Sequence, residues 1–321
     1  MGNINISFVG AGNIVKNYHL PLLKNIPDFN INGIYDLNKS TSKAISKLYN
    51  CKYYENFNDC LYSDVILIAT PVSARKDYYN FFLDNKKAIF VEKPISTNYS
   101  LHKSLKLLES KNKNKIYLGL MRRYFKNIQL VKKLIKLKIF GDLEKVEAYE
   151  GVESHRIGID KNHYQNQYEA NVILETGVHL IDQVTYALDV SSYQKKKLNR
   201  KEYKKFVYDI DLELIFTTSF HKDVECQFKI SYSKFLENKI IFYFNNGQII
   251  LKNNSIEKVS YFNEEINLDI VSNNLNKFAS TVLQSFYLEW LDFLNYYKGK
   301  EYITNPLDSL IVSQIIEDVL K

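Results

Sequence analysis

The chain begins with a short apolar run that leads into a glycine-containing turn. Ile4–Val9 is rich in β-branched and aromatic residues, and Gly10-Ala11-Gly12 follows it directly. Glycines between a buried strand and a helix let the backbone turn tightly at the carboxyl end of the strand, as in the first unit of a parallel α/β sheet. This stretch therefore predicts a doubly wound α/β fold for the N-terminal part of the chain.

The same residues fit a dinucleotide-binding fingerprint. Gly10 would make the tight turn, and Gly12 would let a pyrophosphate approach the backbone. Asn13 and Ile14 would open the following helix beside the cofactor. The third position of the fingerprint commonly holds Gly or Ala for close helix–strand packing, but it is Val15 here. We expect this departure to affect cofactor affinity more than cofactor identity.

Asp36 stands at the end of the next predicted strand. A carboxylate at this place accepts hydrogen bonds from the adenosine ribose hydroxyls and repels a 2′-phosphate, so it favours NAD over NADP. Asp36 could instead be a simple turn residue before Asn38, and the sequence leaves both interpretations open.

Short β-rich runs alternate with amphipathic helical stretches up to about Met121, after which the pattern changes. We predict a Rossmann domain with a parallel sheet over 1–121. An α+β domain with an open, mainly antiparallel sheet would follow over 122–321, its last helix free to pack back on the first domain. Asn245-Asn246-Gly247, between two alternating runs of this second part, is a strong hairpin signal. The predicted strands of the first domain are Ile4–Val9, Ile31–Tyr35, Val65–Ala69, Ala88–Val91 and Ile116–Leu120.

Two helix ends carry local signals. Ser40 or Thr41 is a candidate N-cap of a helix that runs to about Tyr49, because a hydroxyl there can accept from first-turn amides. The helix that contains Ile128 is expected to stop at Gly141, since glycine tolerates positive φ.

Composition narrows the class of protein. The 321 residues are 45% hydrophobic and 25% charged, as in an ordinary globular protein. Since no apolar run approaches the roughly 18 residues that cross a bilayer, we expect no membrane partner and, by default, a cytoplasmic location. The three cysteines lack metal-ligand spacing, which favours a reducing compartment and no structural zinc.

The formal charge of +7 does not by itself indicate a nucleic-acid partner. The densest basic block, between Lys195 and Lys205, has no recognisable nucleic-acid motif, so we predict none. We interpret the block as a solvated loop that could help to attract a phosphorylated or nucleotide-linked substrate.

A later stretch, Glu92-Lys93-Pro94, is suited to hydride-transfer chemistry. Oxidation of a secondary alcohol requires a base for the hydroxyl proton while hydride leaves carbon for a nicotinamide. Lys93 lies at the carboxyl end of a predicted parallel strand, where open α/β sheets place their ligands. Pro94 restricts the backbone of Lys93 and helps to aim it.

Downstream, Glu175, His179 and Asp182 are spaced at i, i+4 and i+7, so a helix would bring them to one face. A histidine beside carboxylates can accept a proton and be stabilised as imidazolium. These side chains could also bind a metal, but no second histidine stands at matching spacing, so we predict no metal.

Several motifs stand in order along the chain: Gly10-Ala11-Gly12-Asn13-Ile14, Tyr18-His19-Leu20-Pro21, Ala69-Thr70-Pro71, Glu92-Lys93-Pro94, Gly119-Leu120-Met121-Arg122-Arg123-Tyr124, Phe140-Gly141-Asp142-Leu143, and Glu175 through Asp182. Together they resemble the Gfo/Idh/MocA oxidoreductase family over nearly the whole chain. The resemblance implies a Rossmann domain and a second domain whose open sheet forms one wall of the substrate cleft. It also implies that Thr70 and Pro71 lie near the nicotinamide ribose, with Glu92 and Lys93 beside the nicotinamide.

The resemblance further implies an NAD-dependent dehydrogenase or ketoreductase for a sugar, a nucleotide-linked sugar or a cyclitol. Lys93 and His179 would handle the proton, Glu175 would orient or relay, and Asp182 would contact substrate hydroxyls. In inositol-dehydrogenase-like members the position of Glu175 is commonly Asp. Glu169-Ala170-Asn171 also replaces the usual glycine-rich approach to this helix, which would reshape the cleft.

Other candidate residues stay open at this point. Arg122 and Arg123 would either bind a substrate phosphate or carboxylate or form salt bridges at the domain joint. His155, His163 and Tyr164 are pocket candidates without an assigned role.

Alternative functions are NAD-assisted glycoside cleavage, imine or double-bond reduction, and a non-catalytic NAD-binding regulatory protein. The presence of both Lys93 and His179 favours an enzyme, because a pure binder has no chemical need of them. We also expect identical chains to associate through the outer face of the second sheet.

Overall fold

The structure, a computed structural model, describes residues 3–112, 115–153, 171–203, 206–253, 255–262, 264–265, 277–304 and 307–321. The chain forms two compact units, Met1–Leu120 with Phe286–Ser313 and Met121–Ser285 with Gln314–Lys321. Residues 286–313, which the sequence-based division put in the second domain, belong to the first unit.

The first unit is built on a parallel sheet of six strands. They are β1 (Ile4–Val9), β2 (Phe29–Tyr35), β3 (Lys52–Tyr53), β4 (Val65–Ile68), β5 (Ala88–Glu92) and β6 (Ile116–Gly119), with helices α1 (Leu20–Leu23), α2 (Lys39–Tyr49), α3 (Arg75–Asp84) and α4 (Tyr99–Asn112). The strand order β3-β2-β1-β4-β5-β6 reverses between β1 and β4. Ligands of doubly wound sheets bind at such a reversal, outside the carboxyl ends of the strands.

Successive strand residues point to opposite faces of this sheet. Phe8 therefore packs into one apolar cluster and Val9 into the other. Trp290 and Phe293 complete the first cluster. They belong to helix α7 (Val282–Tyr297), so a segment from the far end of the chain is needed to complete this core.

The second unit contains a sheet of eight strands and the helices α5 (Lys126–Lys136) and α6 (Val178–Leu188). The strands are β7 (Leu143–Gly151), β8 (Val190–Tyr203), β9 (Phe206–Thr218), β10 (Val224–Ser231), β11 (Leu236–Phe244), β12 (Gly247–Lys252), β13 (Ser255–Tyr261) and β14 (Glu264–Glu265). Their order is β14-β13-β12-β11-β7-β10-β9-β8, and every neighbouring pair is antiparallel except β7 and β10. The predicted fold class is confirmed. The chain closes with α8 (Leu310–Leu320), and no helix of the described residues has the length and apolar character to cross a membrane.

The interpretation of the basic block as a loop was wrong. Its described part, from Lys195 to Tyr203, lies on β8, the edge strand beside β9. Edge strands commonly carry lysines because charge discourages pairing with other chains. A lysine-rich strand lacks the usual alternation of apolar residues, so it was not recognised from the sequence.

Two predicted helix ends also need correction. The N-cap of α2 is Asn38, whose side-chain oxygen accepts from the Thr41 amide at 3.1 Å, so Ser40 and Thr41 are already helical. Helix α5 ends at Lys136, and Lys138 takes the left-handed conformation (φ 51°). Gly141 (φ 81°) instead serves the turn before β7. The hairpin at residues 245–247 is confirmed, with Phe244 paired to Gly247.

Candidate functional site

Gly10 is required by the fold itself. Its φ is +108°, and a Cβ there would lie 2.7 Å from the carbonyl oxygen of Ala69. The Gly10 amide donates to the carbonyl of Tyr35 at 2.9 Å. The turn thus joins the ends of β1, β2 and β4, and no side chain fits there.

Gly12 is different, because the fold leaves space at this position. A Cβ on Gly12 would meet no atom of the described residues within 4 Å, and both Gly12 and Asn13 are exposed. Room at the second glycine is what a pyrophosphate needs to approach the backbone.

Val15 is fully buried in the first apolar cluster. The helix at this point contains a π-helical turn, Val15–His19, in which hydrogen bonds reach five residues along the chain. Because a π turn is wider than an α turn, it gives room to a valine where the fingerprint commonly has glycine or alanine.

Asp36 ties the end of β2 to the glycine turn. One carboxylate oxygen accepts from the Ala11 amide at 2.6 Å, and the other accepts from the Asn38 amide at 2.7 Å. A carboxylate has about four acceptor sites, so two stay available for ribose hydroxyls. The turn role of Asp36 is thus present in the structure, and its ribose contact stays a prediction.

Thr70 and Pro71 follow β4 at the same sheet edge. The Thr70 hydroxyl oxygen is buried and has no hydrogen-bond partner among the described residues. A buried hydroxyl without a partner costs free energy, and a cofactor hydroxyl would satisfy it. Pro71 is exposed beside it.

Glu92, at the end of β5, belongs to a buried hydrogen-bonded chain. The Trp290 indole donates to Nδ1 of His19 at 3.0 Å, and Nε2 of His19 lies 2.7 Å from Oε1 of Glu92. Oε2 of Glu92 accepts from the Lys93 amide at 3.2 Å. Burial alone would raise the pKa of Glu92. The His19 hydrogen bond and the positive charges of Lys93 and Arg75 outweigh it, so the pKa is lowered overall.

Arg75 fixes the main chain on either side of this site. The buried guanidinium donates from Nε to the Thr70 carbonyl at 2.7 Å, and from Nη1 to the carbonyls of Glu92 and Pro94. The Lys93–Pro94 peptide is cis, and the Lys93 side chain is half-buried. Arg75 therefore holds together the two loops that carry the predicted nicotinamide residues.

In the second unit, Arg122 forms a two-point ion pair with Glu150. Nη1 and Nη2 each lie 2.7 Å from a carboxylate oxygen, and Nη1 also donates to Gln183 at 3.2 Å. The Arg122 side chain keeps 17% of its surface exposed. Of the neighbouring residues Arg122 and Arg123, Arg122 is the one whose guanidinium is accessible to solvent.

Asp182 is buried against Arg123. The side chains of Asp182 and Arg123 are 2% and 4% exposed. The guanidinium donates to both carboxylate oxygens at 2.6–3.2 Å. Burial would lower the pKa of Arg123, but Asp182 raises it overall. The Arg123 guanidinium also lies 4.7 Å from the centre of the Tyr186 ring. The predicted contact of Asp182 with substrate hydroxyls stays a prediction, because its oxygens serve Arg123 here.

Glu175 and His179 lie at the start of the same helical segment. Glu175 is exposed and belongs to a second π-helical turn, Ile173–Gly177, whereas His179 is half-buried in the first turn of α6. Exposure therefore falls from Glu175 through His179 to Asp182. A Cβ on Gly177 would lie 2.9 Å from Ile230, so this glycine lets the helix approach β10.

Sequence reasoning missed the roles of His19, Arg75, Trp290, Glu150 and Gln183. His19 stood within a recognised motif, but its partner is on β5 and its donor is near the chain end. His155, His163, Tyr164, Glu169 and Ala170 lie outside the described residues. Among the described residues, no group of three or more His, Cys, Asp or Glu side chains is arranged to hold a metal ion.

The first unit fits a nicotinamide dinucleotide. The space at Gly12 suits a pyrophosphate, and the unsatisfied Thr70 hydroxyl suits a ribose. Glu92 and Lys93 lie at the carboxyl end of β5, on the side of the sheet where ligands of doubly wound folds bind.

Comparison with known proteins supports the same conclusion. Residues 4–120 match the Gfo/Idh/MocA model, described as an oxidoreductase family with an NAD-binding Rossmann fold. The chain is 22% identical to the glucose-6-phosphate 3-dehydrogenase of Bacillus subtilis (strain 168) over 191 residues, which is 57% of this chain and 53% of that protein. It spans about half the length of the curated relatives it matches, or less.

Two solved structures share the fold. One is the WlbA dehydrogenase from Bordetella pertussis in complex with NADH and UDP-GlcNAcA, with a TM-score of 0.81, 15% identity, and 99% of this chain and 94% of that chain covered. The other is a 3-ketoreductase from Actinomadura kijaniata in complex with NADP and TDP-benzene, with a TM-score of 0.81, 15% identity, and coverage of 99% and 97%. At this identity the likeness establishes the fold alone. Residues 4–120 of the chain therefore resemble the Rossmann domain of the Gfo/Idh/MocA oxidoreductase family, and the two-sheet fold is shared with these solved structures.

Proposed function

We propose that the protein is an NAD(H)-dependent oxidoreductase acting on a secondary alcohol or ketone of a sugar, a nucleotide-linked sugar or a cyclitol. The observation that carries this proposal is the end of β5, where Glu92 and Arg75 hold the main chain around Lys93 beside an open glycine turn. The names of the relatives, which act on sugars or bind sugar nucleotides, support the substrate class.

The bound nicotinamide would supply or accept the hydride. Lys93 and His179 accept or donate the hydroxyl proton. Glu175, which is exposed and lies one turn before His179, orients His179 or relays its proton. Arg122, held by Glu150 but partly exposed, binds an anionic part of the substrate. Asp182 holds Arg123, and its contact with substrate hydroxyls stays a prediction.

Cofactor preference is tested by titration of the purified protein with NADH and NADPH, following energy transfer from Trp290, the single tryptophan. We expect saturable binding that favours NADH, because Asp36 would repel a 2′-phosphate. Asp36→Ser should reduce the preference for NADH over NADPH. Lys106→Gln, at a partly exposed side chain of α4, should leave that preference unchanged. Absence of binding by either cofactor would contradict the proposal and favour a non-catalytic protein.

Catalysis is tested with glucose 6-phosphate, inositol and UDP-linked sugar acids, by recording NADH change and identifying products. Lys93→Met and His179→Asn should each lower kcat by about 10²–10⁴-fold, as for loss of a general acid–base group, with NADH binding retained. Full turnover in both variants would refute the assignment. Product formation without net change of NADH would indicate NAD-assisted cleavage instead.

We also propose that identical chains associate through the outer face of the second sheet. Ile241 and Ile250 are paired neighbours on this face, and half-buried Ile215 shares it with tyrosines and charged residues. Ile250→Lys should lower the mass measured by light scattering, whereas Lys106→Gln, in the first unit, should not. A monomeric parent protein would refute this proposal.

A further inference from the structure

A continuous chain of hydrogen bonds runs from helix α7 to the main chain of Lys93. It passes from the Trp290 indole to His19, from His19 to the Glu92 carboxylate, and from that carboxylate to the Lys93 amide. Trp290 and His19 are 0% exposed and Glu92 is 7% exposed. Hydrogen bonds in such a buried setting have few competing partners.

The direction of the chain follows from donor chemistry. An indole N–H can only donate, so Nδ1 of His19 must be the acceptor and carries no proton. The ring hydrogen therefore sits on Nε2 and is donated to Oε1 of Glu92. Trp290 thus selects the tautomer of His19 that stabilises an ionised Glu92.

Ring packing fixes the geometry of the donors. The Trp290 ring stacks on Phe90 of β5 with centroids 4.4 Å apart, and the edge of His19 meets Phe90 and Phe286 at 5.7 and 5.4 Å. Neither donor can turn away from its acceptor without disturbing the core of the unit.

We propose that His19 and Trp290 are positioning residues for Lys93. They hold the Glu92 carboxylate against the Lys93 amide, while Arg75 holds the carbonyls of Glu92 and Pro94. The main chain is therefore fixed before and after Lys93, which restricts the positions that the Lys93 amine can reach. This inference rests on the proposed function of Lys93.

The decisive experiment is hydrogen exchange at the Lys93 amide, because it needs no substrate. Trp290→Phe removes the donor while keeping an aromatic ring at this place. It should speed exchange of the Lys93 amide about 10-fold, and unchanged exchange of the β1 and β4 amides would show that the smaller ring has not loosened the core as a whole. His19→Leu should do the same. His19→Gln, whose amide can still donate near the Nε2 position, should restore part of the protection.

Tyr296→Phe is the matched control. It removes a buried hydroxyl from the same helix that bonds to Glu109 and Ile116 rather than to His19. It should leave exchange at Lys93 unchanged. The inference is overturned if Trp290→Phe leaves Lys93 exchange as in the parent protein, or if Tyr296→Phe has the same effect.

Turnover separates this inference from the proposed function. We expect Trp290→Phe to lower kcat about 10-fold, since misplacement of a reacting group acts on kcat. KM should stay within about twofold, as should the Kd for NADH, which is measured by calorimetry because this variant lacks the single tryptophan. If Lys93→Met is inactive while Trp290→Phe and His19→Leu keep the parent kcat, positioning fails and the proposed function stands. If Lys93→Met keeps full turnover, the proposed function fails. Hydrogen exchange still decides in that case whether Trp290, His19 and Glu92 hold the Lys93 amide.

Discussion

The two units each bury an arginine, but they satisfy it in opposite ways. In the first unit the hydrogen bonds of Arg75 go to carbonyl oxygens, including those of Thr70 and Glu92. In the second unit Arg123 is matched by the carboxylate of Asp182. Carbonyl partners order a main chain without cancelling the charge, whereas a carboxylate partner cancels it. The first arrangement suits the end of a sheet that would receive an anionic cofactor, and the second suits a fully buried position beside α6.

Breaking the buried ion pair between Arg123 and Asp182 should have the largest effect on the free energy of unfolding. Arg123→Leu leaves the Asp182 carboxylate buried without its partner, and we expect a loss of about 3–5 kcal/mol in the free energy of unfolding. Urea unfolding measures it. The double variant Arg123→Leu/Asp182→Leu should regain much of the loss, because no buried charge is left. A single-variant loss below about 1 kcal/mol would contradict the ion-pair interpretation.

The glycine turn offers the next contrast. Gly10→Ala should cost about 2–3 kcal/mol, because it adds a side chain at positive φ against the Ala69 carbonyl. Gly12→Ala should change unfolding by less than about 0.5 kcal/mol while weakening NADH binding at least tenfold. Thermal unfolding and fluorescence titration of both variants provide the test. Equal stability losses would refute the distinction between a glycine kept for folding and one kept for binding.

Glu92 gives a smaller and pH-dependent effect. Its pKa is lowered in the folded protein, so its ionised form contributes stability above the unfolded value of about 4.5, and this is lost as pH falls through the folded pKa. Glu92→Gln should cost about 1.5 kcal/mol at pH 7, as for a hydrogen bond to a charged group. Denaturant unfolding of both proteins should give a gap that narrows from about pH 4.5 downward. A gap independent of pH would show that Glu92 is not ionised in the fold.

The smallest effect is expected at an exposed pair. Nζ of Lys106 lies 2.6 Å from Oδ1 of Asp308, and the two side chains are 37% and 48% exposed. Asp308→Asn should change the free energy of unfolding by less than about 0.5 kcal/mol, and 0.5 M salt should remove even that. Chemical denaturation at two salt concentrations measures it. If Asp308→Asn lowered the free energy of unfolding as much as Arg123→Leu does, burial would not explain why the two ion pairs differ.

Local pattern was enough to predict much of the first unit. Ile4–Val9 has the predicted bounds because Gly10 ends the strand sterically, and Lys93 follows β5 as expected. Strand β8 could not be recognised, because a lysine-rich edge strand lacks apolar alternation. The N-cap was misassigned by two or three residues since Asn38, Ser40 and Thr41 are all plausible caps in sequence.

The long-range partners lay beyond any local signal. His19 meets Glu92 and Trp290 only because distant segments fold together. Arg75 likewise contacts carbonyls, and every residue provides a carbonyl, so the sequence gives no hint of its partners. Ion pairs such as Arg123–Asp182 could be suspected from charge, but their burial could not.

The late position of α7 has a consequence for biosynthesis. A ribosome makes β1 to β6 before it makes Trp290 and Phe293, so one apolar face of the parallel sheet is only partly covered until α7 has been made. Uncovered apolar faces on partly made chains are the surfaces that chaperones bind and that cause aggregation. A stop codon after residue 285 should therefore yield a chain that is insoluble or chaperone-bound, even though every strand of the nucleotide-binding sheet is present.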